Sequence, residues 1–83
     1  MTKRVISKKE AAIYRTVARE LDRAMRSEGS FHSAHEGWAV IWEELDELWE
    51  EVRKKRRKRN KVRMRHEAAQ VAACAIRFIH DLL

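Results

Sequence analysis

The chain contains no proline, only two glycines and a single cysteine among its 83 residues. Proline and glycine are the strongest turn-forming residues, so their scarcity leaves few turns. A single cysteine, Cys74, excludes an internal disulfide and fits a reducing compartment. No apolar run approaches the length of a membrane span, and the first residues lack a signal-peptide core. We therefore expect a soluble, cytoplasmic protein without a membrane partner.

The composition is that of a small helical domain. Ala, Glu, Lys, Arg and Leu are abundant, and all of them favour helices. Hydrophobic residues make up 45% of the chain, which is enough for a core. A core of this size is only marginally stable alone because the surface-to-volume ratio of a short chain is poor. We predict one domain over residues 1–83 and association into a homodimer or higher homo-oligomer.

The first helix is predicted from a capping pattern and an apolar stripe. Ser7 and Glu10 form the S-x-x-E box that starts many helices. We place helix one at about residues 8–26, and Gly29 suits the left-handed cap that follows it. The apolar positions recur at helical spacing: Ala12, Ile13, Val17, Leu21, Ala24 and Met25.

A second capping box, Ser33 with Glu36, starts helix two. Asn60 is the expected break after it, with a loop near residues 56–62, and helix three takes the remainder. The two apolar stripes are Ile41, Leu45, Leu48 and Val52, then Met64, Ala68, Val71, Ala75, Phe78 and Leu82. The predicted fold class is all-α: three helices, with helices two and three antiparallel, forming a multi-helix bundle with a second copy.

Charge is segregated along the chain. Residues 36–51 hold seven acids and no Lys or Arg, whereas residues 53–65 hold ten bases and no acid. The basic block, Arg53 to Arg65, favours phosphate-bearing partners. It is compatible with holding a triphosphate, with nonspecific binding of nucleic acid, or with a solvated loop. The candidate phosphate-binding residues are Lys54, Lys61 and Arg65.

The acids of helix two border its apolar stripe. At 100° per residue, Glu44, Glu47 and Glu51 share one edge of that stripe. Glu67 and Gln70 flank the stripe of helix three in the same way. Antiparallel packing would bring the two edges together and create an oxygen-rich site suited to Mg²⁺. The competing interpretation is an ordinary solvated acidic face.

The remaining candidates favour structural roles. Three tryptophans, Trp38, Trp42 and Trp49, fit core or dimer packing better than base stacking. His32 and His35 fit helix entry better than a metal site, because no third ligand stands at a suitable spacing. Cys74 fits buried packing.

Two segments together resemble the MazG-like all-α nucleoside triphosphate pyrophosphohydrolases, which are related to the dimeric dUTPases. The family carries E-E-x-x-E on one helix and E-x-x-D on the next. Here "EELDE" supplies Glu43, Glu44 and Glu47, and after 19 intervening residues "EAAQ" supplies Glu67 and Gln70. The sequences around these motifs also resemble the two core helices of small MazG-like proteins: "FHSAHEGWAVIWEELDELWEEV" and "EAAQVAACAIRFIHDL". The resemblance covers residues 31–82.

The resemblance implies Mg²⁺-dependent hydrolysis of a nucleoside triphosphate to monophosphate and pyrophosphate, in nucleotide-pool housecleaning. Mn²⁺ is the substitute cation. Glu44, Glu47, Glu67 and Gln70 would be metal ligands, with Glu43 and Glu47 as the catalytic acids. Gln70 departs from the Asp of the motif and brings no negative charge. The alternative is a noncatalytic, basic helical protein that binds nucleic acid or another protein on the same scaffold.

Overall fold

The computed structural model describes residues 3–83, which form three α-helices and no strand. The helices are α1 (Lys8–Ser27), α2 (Ala34–Val52) and α3 (Lys61–Leu82), and a single 3-10 turn, Arg56–Lys58, lies between α2 and α3. The predicted all-α class is therefore confirmed. No helix within residues 3–83 is both long enough and apolar enough to cross a bilayer.

Each helix begins at a side chain that caps it. The Ser7 hydroxyl accepts a hydrogen bond from the Glu10 amide at 3.0 Å, and the Ser33 hydroxyl accepts one from the Glu36 amide at 3.1 Å. Asn60 caps α3 through its side-chain oxygen. These bonds satisfy amides that have no partner inside the helix. The predicted starts of α1 and α2 are confirmed. Helix α3 begins at Lys61, inside the predicted loop at 56–62, and the loop lies at residues 53–60.

The middle layer of the fold is α3, which packs against both other helices. Its pairing with α2 is antiparallel, as predicted, since Gly37 near the start of α2 meets Phe78 near the end of α3. A Cβ added at Gly37 would lie 2.6 Å from Phe78 Cδ2. The absence of a side chain at Gly37 therefore allows the two helices to approach closely at this end.

The connection from α1 to α2 is anchored by a buried cation. Arg77 of α3 is 2% exposed, and its Nη1 and Nη2 donate to Glu28 Oε2 at 3.1 Å and to the Gly29 carbonyl at 2.8 Å. Its guanidinium lies 4.2 Å from the centre of the Phe31 ring, an attractive arrangement. Asp81 accepts from the Phe31 amide at 3.0 Å. Gly29 has φ 72°, which confirms its predicted left-handed conformation.

The buried residues differ from the predicted stripes. Leu45 is 41% exposed, and Ala68 and Ala75 are exposed as well. For Ala68 and Ala75 the reason is that α3 contacts two helices, so its buried arc is wider than one stripe and is displaced toward α1. Leu45 lies at the side of the α2 stripe nearest the tryptophans, away from the centre of the contact with α3. The apolar residues with the lowest exposure are Ala24, Phe31, Ala69, Ala73 and Cys74.

Candidate metal centre

Three carboxylates from two helices converge beside the α2–α3 seam. Glu44 and Glu47 lie one turn apart on α2, and Glu67 lies in the second turn of α3. One oxygen from each of the three lies within 4.8 Å of the others. Antiparallel packing produces this cluster because it places the late part of α2 beside the early part of α3. The predicted convergence of these three acids is present.

The cluster is electrostatically unfavourable without a counter-charge. Burial, followed by the charge of Glu47, raises the pKa of Glu44 from 4.5 to about 7. Burial also raises the pKa of Glu67, and contact with Glu47 adds to that increase. Nearby like charges and loss of hydration both disfavour the ionised form. The free energy of this arrangement would therefore fall if a cation were bound.

Two oxygens of the cluster lack any protein donor. Glu44 Oε2 and Glu67 Oε2 are buried and have no hydrogen-bond partner within residues 3–83. A buried acceptor without a partner costs free energy, and it needs a water or an ion to satisfy it. Carboxylates at this spacing fit a hard divalent cation, which prefers oxygen ligands. The donor set is therefore chemically suited to Mg²⁺ or Mn²⁺.

Gln70 is held by α1. Its side-chain oxygen accepts from Arg23 Nη2 at 3.2 Å, and its side-chain nitrogen donates to Glu20 Oε2. Gln70 is 7% exposed, so this network is part of the α1–α3 interface. Its amide is thus already engaged on both atoms. This arrangement does not favour Gln70 as a ligand in the structure as it stands.

Helix α1 contributes polar residues that the sequence did not single out. Glu20 also lies 3.8 Å from His66, measured from its Oε1 to the Nδ1 of the imidazole. His66 directly precedes Glu67 in the chain. The polar surroundings of the cluster therefore extend onto α1 through Glu20 and Arg23. Charged residues spaced one turn apart are common on exposed helices, so no local pattern distinguished this pair.

Glu43 is exposed and is not a member of the group formed by Glu44, Glu47 and Glu67. Adjacent helical residues point about 100° apart, which turns Glu43 toward solvent. A catalytic role for Glu43 would require a substrate that reaches past the three-acid cluster.

The three candidate phosphate-binding residues lie in different surroundings. Lys54 is half-buried and pairs with Glu51 at 2.8 Å. Lys61 and Arg65 are exposed, and Arg65 lines an apolar groove of about 550 Å³ between α1 and α3. Arg65 lies about 200° around the axis of α3 from Glu67. Lys54 is therefore the candidate most closely associated with the acidic edge of α2.

The tryptophans are exposed in the single chain. Trp38, Trp42 and Trp49 are 59%, 55% and 57% exposed, so packing in the core of one chain is excluded. They lie within an arc of about 40° on α2, and the Trp38 and Trp42 rings are 6.1 Å apart. This tryptophan flank and the acidic edge lie on opposite sides of the line along which α2 contacts α3.

The remaining sequence candidates have structural surroundings. His32 and His35 are exposed at the entrance to α2, where His32 Nδ1 lies 3.5 Å from Glu36. Cys74 is buried as predicted, and burial raises the pKa of its thiol.

Comparison of the chain with protein-family models, with curated proteins and with solved structures gave no match. The MazG-like resemblance therefore rests on the two acidic segments and the sequence that flanks them.

Proposed function

We propose that this protein is a Mg²⁺-dependent nucleoside triphosphate pyrophosphohydrolase that releases monophosphate and pyrophosphate. One observation supports the proposal above all: Glu44, Glu47 and Glu67 offer ligand oxygens within 4.8 Å of one another, on the segments that resemble the MazG-like motif. Structural acids on a helix surface normally separate or pair with cations. Here they converge, and two of their oxygens are buried without a donor.

In this proposal Glu44, Glu47 and Glu67 hold the cation. A bound Mg²⁺ supplies charge neutralisation for the phosphates and increases the acidity of a coordinated water. Glu47 is exposed and can face the reacting groups as well as the metal. Glu43 is the supporting proton acceptor, since it lies one turn before Glu47 on the same helix and a substrate that extends past the cluster would reach it. Mn²⁺ serves in place of Mg²⁺ because it also prefers oxygen ligands.

A panel of NTPs and dNTPs with Mg²⁺, assayed for pyrophosphate and monophosphate, tests the activity. Glu47→Gln keeps the shape of the side chain but removes one charge from the metal shell. Loss of an outer-shell partner of a metal ligand typically costs about 10- to 100-fold, so we expect loss of a direct ligand to lower turnover by roughly 100-fold. Glu50→Gln is the matched control, because Glu50 lies on the same helix with its side chain 64% exposed. It should retain full activity.

Two results would contradict the proposal in different ways. The absence of hydrolysis of every nucleotide under both Mg²⁺ and Mn²⁺ would reject the enzyme activity. Full activity in Glu47→Gln would leave the activity standing but would show that these acids are not its site. Circular dichroism of both variants establishes that the helices are retained.

We propose a second copy of the chain as a further partner. The three exposed tryptophans leave roughly 300 Å² of aromatic surface in solvent, comparable with the largest patches on typical monomers. Ala75 and Ile79 of α3 are exposed as well. A four-helix core made from α2 and α3 of two copies would bury these side chains. Light scattering at micromolar concentration should give twice the 9.9 kDa chain mass.

A noncatalytic, nucleic-acid-binding function is the second candidate. The observation that favours it is the exposure of Arg56, Arg57 and Lys58 in the 3-10 turn, where no carboxylate pairs with them among the described residues. Binding through phosphates would decrease steeply as salt increases. Fluorescence anisotropy with single-stranded and duplex fragments across a salt series distinguishes this function from the hydrolase.

A further inference from the structure

The pair formed by Glu51 and Lys54 differs from the other ion pairs of the acidic and basic segments. Glu51 is 8% exposed, and its Oε2 accepts from Lys54 Nζ at 2.8 Å. Its Oε1 is buried and has no donor within the described residues. The neighbouring pair, Glu50 with Arg53, has the same three-residue spacing, but both side chains are more than half exposed and the distance is 3.4 Å.

Glu51 lies on the same edge of α2 as the acidic cluster. On the axis of α2 it lies between Glu44 and Glu47 in direction, about one turn beyond Glu47. After burial and contact with Glu47, the charge of Glu51 further raises the pKa of Glu67. Glu51 therefore lies near enough to Glu67 to affect its charge. The unpartnered oxygen of Glu51 could accept a hydrogen bond from a ligand bound at this edge.

The Glu51 contact restricts Lys54, which would otherwise be a flexible side chain. A lysine has four rotatable bonds, and holding its ammonium in one place costs conformational entropy. Lys54 is the only half-buried cation between Arg53 and Arg65; the other nine are exposed. The backbone around Lys54 is held as well, because Arg59 Nε donates to the carbonyls of Val52 and Lys54 at 2.8 and 3.1 Å.

We infer that Glu51 is a positioning residue that holds Lys54 at the edge of the acidic cluster, where its ammonium binds the phosphates of a metal-bound polyphosphate. The inference rests on the proposed function in one respect, because it requires a cation at Glu44, Glu47 and Glu67. The order of charges along the chain then follows the order of charges in the ligand. Carboxylates meet the metal, and the first half-buried base after them meets the phosphate oxygens.

The test measures binding of inorganic tripolyphosphate by calorimetry in the presence of Mn²⁺, together with kcat and KM where turnover occurs. Lys54→Met should weaken tripolyphosphate binding and raise KM about tenfold, the lower end for hydrogen bonds to charged groups, with a smaller change in kcat. Glu51→Gln should have a weaker effect of the same kind. Arg53→Met and Glu50→Gln are the controls, because they make the same changes of charge as Lys54→Met and Glu51→Gln but on the exposed pair. They should change neither tripolyphosphate affinity nor KM by more than about twofold.

A double variant identifies the route by which Glu51 acts. If Glu51 acts through Lys54, then Glu51→Gln should have little additional effect in the Lys54→Met background. Lys54→Arg should restore part of the binding, since it returns the charge. A purely structural role for Glu51 would instead give additive losses and no restoration, and that result would overturn the inference.

Two further outcomes separate this inference from the proposed function. Electron paramagnetic resonance with Mn²⁺ should show metal binding lost in Glu47→Gln and retained in Glu51→Gln. If wild type binds Mn²⁺ and tripolyphosphate, but Lys54→Met matches Arg53→Met, the positioning inference is wrong while the metal centre stands. If wild type binds no Mn²⁺, the proposed function and the inference are both rejected.

Discussion

The two flanks of α2 differ in a way opposite to the usual distribution of charged and apolar residues. On one flank Glu44 is partly buried and Glu51 is 8% exposed, whereas on the other three tryptophans are more than half exposed. Burial of carboxylates costs free energy, and aromatic rings that stay exposed lose the stabilisation that their burial would give. Neither flank is therefore optimised for the stability of one isolated chain. In our proposals the acidic flank is satisfied by a cation and the tryptophan flank by a second copy.

The largest predicted effect concerns the tryptophan flank. Trp42→Asp places a charge in the centre of the proposed interface, so the dissociation constant of the dimer should rise at least about 100-fold, as at tryptophan hot spots. Tyr14→Asp is the control, because Tyr14 is a half-exposed aromatic residue on α1 rather than α2. Analytical ultracentrifugation of both variants measures the effect. A wild type that is already monomeric at micromolar concentration would contradict the interface.

Gly37 lies between the two flanks, at the seam of α2 and α3. Gly37→Ala gains helix propensity of about 1 kcal/mol. However, the added Cβ would lie 2.6 Å from Phe78 Cδ2 and 3.2 Å from Leu82 Cδ1. Overpacking typically costs about 1–3 kcal/mol, so we expect a net loss of roughly 1 kcal/mol, or a Tm lower by about 4–8 °C. Thermal unfolding of the variant measures the loss.

Gly29→Ala provides a useful contrast to this substitution. Apart from its two chain neighbours, no residue from 3 to 83 has an atom within 4 Å of a Cβ at Gly29, so any loss there would come from its positive φ alone. If Gly37→Ala is as stable as wild type, the seam can widen without cost and the close approach is not important for the fold.

The acidic flank should make stability depend on pH. In the folded chain the pKa of Glu44 is about 7, whereas its ordinary value is 4.5. Between pH 4.5 and about pH 7, folding is accompanied by uptake of a proton at Glu44, so the free energy of unfolding decreases as pH rises. The stability that protonated Glu44 retains at low pH is lost above about pH 7. The Tm of metal-free protein should fall by a few degrees between about pH 5 and about pH 8.

Mg²⁺ should reverse this loss, because it binds the ionised cluster and stabilises the folded chain. Its effect on Tm should therefore be larger at the higher pH. Glu44→Gln removes the titrating group, so its Tm should vary less with pH and respond less to Mg²⁺. A wild-type Tm that is independent of pH in this range would argue against a buried, mutually repelling cluster.

The sequence predicted local features better than it predicted the surroundings of the helices. The caps at Ser7 and Ser33 depend on residues within three positions, so the starts of α1 and α2 could be placed closely. Asn60 was predicted only as a break between helices, and the structure shows that it caps α3. The convergence of Glu44, Glu47 and Glu67 could be predicted from the sequence. When two helices pack antiparallel along known apolar edges, those edges determine which acids face each other. Both predictions use only helical periodicity and one packing relation.

What the sequence did not reveal depends on contacts between distant residues. Arg77 resembles any surface arginine in the sequence, and only the returning α1–α2 connection buries it against Phe31. Leu45 was assigned to the stripe of α2, yet it is 41% exposed at the side of that stripe nearest the tryptophans. The position of α1 likewise determines the hydrogen-bond partners of Gln70. The periodicity of the α3 sequence alone could not predict those partners.

The smallest predicted effect distinguishes the two possible surroundings of Gln70. If Gln70 occupies the fourth position of the MazG-like motif, Gln70→Asp should strengthen metal binding. In the structure, however, its nitrogen donates to Glu20, and its oxygen accepts from Arg23. Asp would remove the donor and place a carboxylate opposite Glu20.

We therefore expect Gln70→Asp to lower stability by about 1 kcal/mol, the typical net value of one hydrogen bond, and to change Mn²⁺ affinity by less than about twofold. Gln70→Asp combined with Glu20→Gln should recover part of the stability, because the opposing charge is removed. Chemical denaturation and Mn²⁺ titration measure the two quantities. A clear increase in Mn²⁺ affinity in Gln70→Asp alone would show that this side chain reaches the metal and that its contacts with α1 yield when a cation binds.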